Sequence, residues 1–204
     1  MIEFKEGCLF STNCQTIVNT VNTVGVMGTG LALVFKAMFP KMFQEYRYYC
    51  RSEMFGVGKL WLYKNTNRWQ VLNFPTKTHW KNYSELPIIE ASLYNLLATY
   101  KDRGITSLAI PMLGCQKGGL RSKQVFPLMK KYLDQLDIPV ELWTNNKKHV
   151  NPIWAELYAA SRDADSPFKR LVLSCRDFED LSKKVGDRKD VFGVEVNRII
   201  RFEP

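Results

Sequence analysis

The chain has 204 residues, of which 46% are hydrophobic and 13% aromatic; this is the composition of a folded globular protein, longer than one average domain and shorter than two. No apolar run is long enough to cross a bilayer, and the opening MIEFKEGCLF carries two acidic residues where a secretion signal needs an apolar segment. No membrane partner and a cytoplasmic location are therefore expected. The net charge of +9 is concentrated in residues 1–150, with 19 Lys and Arg against 10 Asp and Glu, whereas residues 151–204 hold 10 of each. The first part is thus expected to meet a phosphate-bearing or polyanionic partner. Five cysteines, an odd number with no C-x-x-C pair, and only two histidines argue against a disulfide framework and against a metal site, and no cofactor is expected.

In chain order, β-branched runs alternate with helical periodicity. The pattern predicts a short strand over 2–4, a strand over 16–22, helices over 31–38 and 41–51, and strands over 59–63 and 69–74. A helix over 87–101, a strand over 106–111, a helix over 123–136 and a strand over 140–143 follow. Pro87 suits a first helical turn, and Gly104 suits the position just past a helix end. Such alternation implies an α/β fold, a mostly parallel or mixed sheet covered by helices, whose ligands sit outside the carboxyl ends of the strands. Beyond Asn151 the pattern changes to a helix over 153–160, strands over 170–175 and 193–202 and a helix over 178–185, short for an independent domain.

Three loops carry the chemistry. TVNTVGVMGTGL, residues 20–31, is a strand running into Gly25, Gly28 and Gly30 at a helix start. Glycines let the backbone approach a ligand, and free N–H groups at a helix start attract a phosphate. Its spacing is neither the dinucleotide G-x-G-x-x-G nor the G-x-x-x-x-G-K-[ST] of nucleotide triphosphatases, and taken alone such a turn serves structure as readily as phosphate. LGCQKGGL, residues 113–120, is a second glycine-rich turn before a helix, able to grip a diphosphate from the other side, with Lys117 adding a cation. NFPTKTHWK, residues 73–81, follows the strand over 69–74. A lysine near cations or in a drier pocket loses its proton and becomes a nucleophile. Lys77 is the candidate, with Lys81 and His79 able to depress its pKa or shuttle protons; Trp80 could stack on a base or cover the core. Spacing alone does not decide between these roles and ordinary loop residues.

Together, NTVNTVGVMGTGLALVFKAMFP, NFPTKTHWK and AIPMLGCQKGGL resemble the macrodomains of the DarG antitoxins, which lie near the human terminal ADP-ribose glycohydrolase in the macrodomain superfamily. The resemblance covers residues 1–145 and is strongest over 17–40. It implies a three-layer α/β/α macrodomain sandwich with a mixed sheet over residues 1–150, and a short α+β extension of uncertain role over 151–204. It places Asn22 on the distal ribose of ADP-ribose, with Thr23, Val24, Gly25, Met27, Gly28, Gly30 and Leu31 along the distal ribose and diphosphate. Gly114, Cys115, Gln116, Lys117, Gly118, Gly119 and Leu120 become the second diphosphate loop, and Leu9, Thr76, His79, Trp80 and Thr144 also line the ligand. Lys77 is then the catalytic residue, acting on the anomeric carbon. The implied partners are ADP-ribose or ADP-ribosylated single-stranded DNA, and a DarT-like toxin.

The chain departs from the pattern at three places. Gly7-Cys8-Leu9 replaces Gly-Asp-[Ile/Leu], Gly118 stands where the human relative has an aspartate, and Gln116-Lys117 replaces a glycine-asparagine pair. Chemistry agrees with a lysine, since cleaving an N-glycosidic bond calls for a carboxylate pair or a covalent nucleophile, and residues 73–81 and 114–120 contain no carboxylate. A hydrolase acting on modified DNA is the first expectation. A non-catalytic ADP-ribose binding module and a hydrolase acting on modified protein remain the alternatives.

Overall fold

The computed structural model describes residues 2–64 and 69–144; the predicted extension over 151–204 and its elements lie outside them. The described residues separate into two units, Met27–Glu45 and the remainder.

The larger unit is built on a six-stranded sheet. Its strands are β1 (Ile2–Glu6), β2 (Thr16–Val21), β3 (Trp61–Tyr63), β4 (Gln70–Pro75), β5 (Leu108–Pro111) and β6 (Val140–Thr144), in the order β1-β6-β5-β2-β4-β3. All neighbours are parallel except β3, which runs antiparallel to β4 at the edge. The sheet is therefore mixed, as the alternation of elements predicts. β2 pairs with β4 from Thr16↔Gln70 to Val21↔Pro75 and with β5 at Thr16↔Leu108 and Ile17↔Ala109.

The helices are α1 (Gly30–Met38), α2 (Pro40–Arg51), α3 (Leu86–Thr99) and α4 (Ser122–Leu133). α3 begins with Pro87 in its first turn, where a missing N–H costs nothing. Its Ile89, Leu93 and Leu96 pack with Val125, Met129 and Leu133 of α4 and with Val18, Leu72, Phe74, Leu108, Ile110 and Leu142 of the sheet, all nearly or wholly buried. Parallel strands buried in this way read as continuous apolar runs, and LAIP of β5 is one. At the rim of this core, Glu90 of α3 accepts hydrogen bonds from Lys131 Nζ at 2.9 Å and from the Tyr132 hydroxyl at 2.8 Å.

The main departures from the predicted elements sit at strand ends. β2 stops at Val21, one residue early, because Asn22 turns its side chain to the following loop; β5 begins at Leu108 rather than Thr106, whose N–H is taken by Gln15 Oε1 at 2.9 Å instead of by a strand. β1 and β6 each extend further than predicted, pairing from Ile2↔Val140 to Glu6↔Thr144. A 3-10 turn over Leu9–Ser11, with Phe10 against Trp69 at 6.0 Å between ring centroids, carries no helical or strand periodicity in the sequence.

The smaller unit contains α1, whose first residue Gly30 adopts φ +59° after Thr29. Within it Lys36 Nζ lies 4.6 Å from the centroid of Phe43.

Because Leu93 is fully buried between α3 and the sheet, Leu93→Ala is expected to destabilise the fold by about 3 kcal/mol. Urea unfolding should show a lower midpoint at an unchanged slope.

Candidate active site

Since β2, β4 and β5 are parallel neighbours, the loops that follow them leave the sheet at one edge. Backbone bonds then join the loops. Thr76 N–H donates to Val21 O at 2.9 Å, and both the N–H (3.0 Å) and the hydroxyl (2.9 Å) of Thr23 donate to Thr78 O. The loop after β4 meets the loop after β5 through Ser84 N–H to Gly118 O, 2.8 Å.

Asn22 organises the first loop. Its Oδ1 accepts from the N–H groups of Val24 (3.1 Å) and Val26 (3.3 Å), while its Nδ2 donates to Val26 O at 2.5 Å. The Tyr46 hydroxyl donates to Asn22 O at 2.7 Å and lies 3.2 Å from Oδ1; burial pushes that phenol far above its usual range. Asn22 is buried, and both ends of its amide hold its own turn. Gly25 takes φ +77°, and a side chain there would press on the Arg47 backbone, so the tight turn requires glycine.

Lys77 stands between the other two loops. Its Nζ donates to Asn82 O at 2.9 Å and to Lys117 O at 3.0 Å. Burial lowers its pKa below the usual 10.5. Of the two causes expected, neighbouring cations or a drier pocket, burial is the one that acts. His79 Nδ1 accepts from the backbone N–H of Lys81 at 3.3 Å, inside its own turn. An amine retains two N–H bonds when neutral, so two carbonyl acceptors hold it in place and leave its lone pair unused.

The second glycine loop is closed on itself. Gly114 O accepts from Leu120 N–H (3.0 Å), and Gln116 O from Gly119 N–H (3.2 Å). With Lys117 O and Gly118 O engaged as above, four of its carbonyls and the N–H groups of Gly119 and Leu120 are occupied within the protein. A Cβ on Gly118 would lie 2.3 Å from both Gly114 O and Ser84 Oγ, so a carboxylate side chain at this position is sterically excluded.

The remaining expected residues fall in separate places. Thr76 is buried at the end of β4, and Trp80 is exposed. Leu9 is a core residue of the 3-10 turn, and Thr144 ends β6, accepting from Gly7 N–H at 3.0 Å. Cys8, before Leu9, is a thiol whose pKa burial raises, as is Cys115, which donates to Leu113 O at 3.3 Å; neither replaces a carboxylate as a charged acceptor. Met27, Gly28, Gly30 and Leu31 belong to the smaller unit, Met27 being buried. The sequence reading missed Asn82, Tyr83 and Ser84, which form the junction of the two loops; the signal available was the polar stretch that continues past Lys81 up to Pro87. Among the described residues no group of three or more His, Cys, Asp or Glu side chains could hold a metal ion.

The family described as Macro domain matches residues 18–129. The chain belongs to the macrodomain family. As a macrodomain it is 40% identical over 168 residues to a DNA ADP-ribosyl transferase-DNA ADP-ribosyl glycohydrolase fusion protein of Thermosipho africanus, covering 73% of this chain and 43% of that protein. It superposes on the macrodomain of Mycobacterium tuberculosis DarG with TM-score 0.68 and 35% identity, over 72% of this chain and 99% of that one. It also matches Thermosipho africanus DarTG in complex with ADP-ribose, at TM-score 0.65 and 36% identity, over 77% of this chain and 46% of that one. This macrodomain thus spans less than half the length of the curated relatives it matches, and nearly all of the solved DarG macrodomains.

Gly118→Ala is expected to destabilise the fold by about 2 kcal/mol through overpacking. Gly56→Ala, where nothing lies within 4 Å of the added methyl, should stay within about 0.5 kcal/mol of the parent. Thermal unfolding of the two variants side by side checks the contrast.

Proposed function

We propose that this macrodomain binds ADP-ribose and hydrolyses it from modified nucleic acid, namely thymidine-linked ADP-ribose in single-stranded DNA, and so reverses the action of a DarT-like toxin in the cytoplasm. The observation that carries the reading is Lys77, an amine held by two carbonyls at the meeting of two loops, with its pKa lowered by burial. Neither loop contains a carboxylate between residues 76 and 84 or between 112 and 124. The relatives named DNA ADP-ribosyl glycohydrolase and the DarTG structure solved with ADP-ribose supply the substrate class.

In this reading residues 114–120 hold the diphosphate, and Asn22 acts on the distal ribose by shaping the turn that lines it. The neutral Lys77 amine forms a bond to the anomeric carbon as the glycosidic C–N bond breaks. The bonding pair leaves with the base nitrogen, which takes up a proton, and the amine loses one. Water then displaces the lysine, giving free ADP-ribose and restoring the amine. The exclusion of a side chain at Gly118 leaves no room for a second-step aspartate there.

Two tests follow. Lys77→Ala should retain ADP-ribose binding by calorimetry and lose more than about a hundredfold in the rate of release from an ADP-ribosylated oligonucleotide. Tight binding by the parent with no release would make the protein a reader, and release from modified peptides alone would move the substrate to protein. Because only the neutral amine attacks, kcat/KM should rise with pH through the lowered pKa of Lys77 and level off below pH 10.5; a profile still rising there would remove Lys77 as nucleophile.

A further inference from the structure

The loop after β4 does not end its work at Lys77. Asn82 O accepts from Lys77 Nζ, and Ser84 N–H donates to Gly118 O at 2.8 Å. Tyr83, between them, sits over Gly119: a Cβ on that glycine would lie 2.5 Å from Tyr83 Cδ1, and Gly119 adopts φ +77°. Tyr83 is nevertheless 78% exposed. A ring so open to solvent and so closely seated on a backbone is presented rather than buried. Three residues earlier Trp80, half exposed, lies 5.4 Å from the His79 ring at an interplanar angle of 30°, with Lys81 Nζ 5.1 Å from its centroid. Both aromatics belong to the loop that bears the Lys77 amine.

Within the two loop segments the charge has one sign, Glu85 being the first acid beyond the earlier one. Beside Lys77, the Lys and Arg side chains of segments 76–84 and 112–124 are Lys81, Lys117, Arg121 and Lys123, and both segments lack Asp and Glu. Exposed rings among cations suit a partner that offers flat faces and phosphates together. Bases offer their faces only when unpaired, which selects a single strand over a duplex.

We propose that Tyr83 and Trp80 are stacking positions for the unpaired bases that flank the modified nucleotide, with Lys81 and Lys117 taking the phosphates of the strand. The inference rests on the function proposed above, of which it specifies how the polymer, as distinct from ADP-ribose, is held. Gly119 is the positioning residue, since any side chain there would lift the Tyr83 ring.

The test compares the whole chain with its Tyr83→Ala and Tyr83→Phe variants on two substrates: ADP-ribosylated thymidine mononucleotide, and a single-stranded oligonucleotide of about ten nucleotides carrying the same modification. Tyr83→Ala should lower kcat/KM for the oligonucleotide relative to the mononucleotide about tenfold, through KM, and Tyr83→Phe should restore the parent ratio. An unchanged ratio in Tyr83→Ala would overturn the proposal, as would an equal loss on both substrates, which would put the ring against ADP-ribose itself. Binding of the unmodified oligonucleotide, followed by tryptophan fluorescence, gives an independent reading: about tenfold weaker in Tyr83→Ala, and weaker for the parent on a duplex of the same sequence. If the parent released nothing from either substrate, the proposed function would fall, and this binding series alone would still decide the stacking inference.

Discussion

Everything at the site depends on β2 pairing in parallel with β4 on one side and β5 on the other. Antiparallel neighbours would send successive loops to opposite ends of the sheet; parallel ones deliver three to the same end. The register β2 shares with β4 runs to Val21↔Pro75, and the next residues are already bound across the gap, Thr76 to Val21 and Thr23 to Thr78. The helices α3 and α4 that cover one face of the sheet secure the strands, and through them the loop spacing. Lys77 owes its position to that spacing: its amine reaches carbonyls five residues ahead on its own loop and forty residues ahead on the next.

Charge and space act together on these loops. Among the described residues no ion pair holds the Lys77 proton, and burial shifts it toward the neutral amine. The closed turn at Gly118 explains in steric terms why no acid stands there. A Cβ would strike Gly114 O and the Ser84 hydroxyl together, so an aspartate at that position demands a differently folded loop. The lack of an acid at Gly118 and the tightly closed second loop are in this sense one property.

The order of strands and helices was legible because apolar runs and helical periods are local signals, and the three loops were legible because glycines and the N-F-P-T-K run are local too. Strand ends were less so. β2 ends one residue early because Asn22 prefers its own turn, a side-chain choice that periodicity does not register. Asn22 was expected on a ribose; its amide also holds Val24 and Val26, with Tyr46 brought in from α2, a partner twenty-four residues away that no spacing rule announces. The sequence left the cause of the Lys77 shift open between neighbouring cations and a drier pocket for a related reason. His79 and Lys81 are near in sequence, but the turn directs the His79 ring to a backbone N–H. Tyr83 went unnoticed because its meaning comes from Gly119, on another loop.

The cysteines take on a different significance in this setting. A thiol reacts as its thiolate, and burial raises the pKa of Cys8 and Cys115, while the same burial lowers that of Lys77. One physical cause therefore separates the two kinds of nucleophile in opposite directions. Burial thus acts against the ordinary order of reactivity, in which free cysteine is the stronger competitor: it moves these thiols away from thiolate and the amine toward its neutral form.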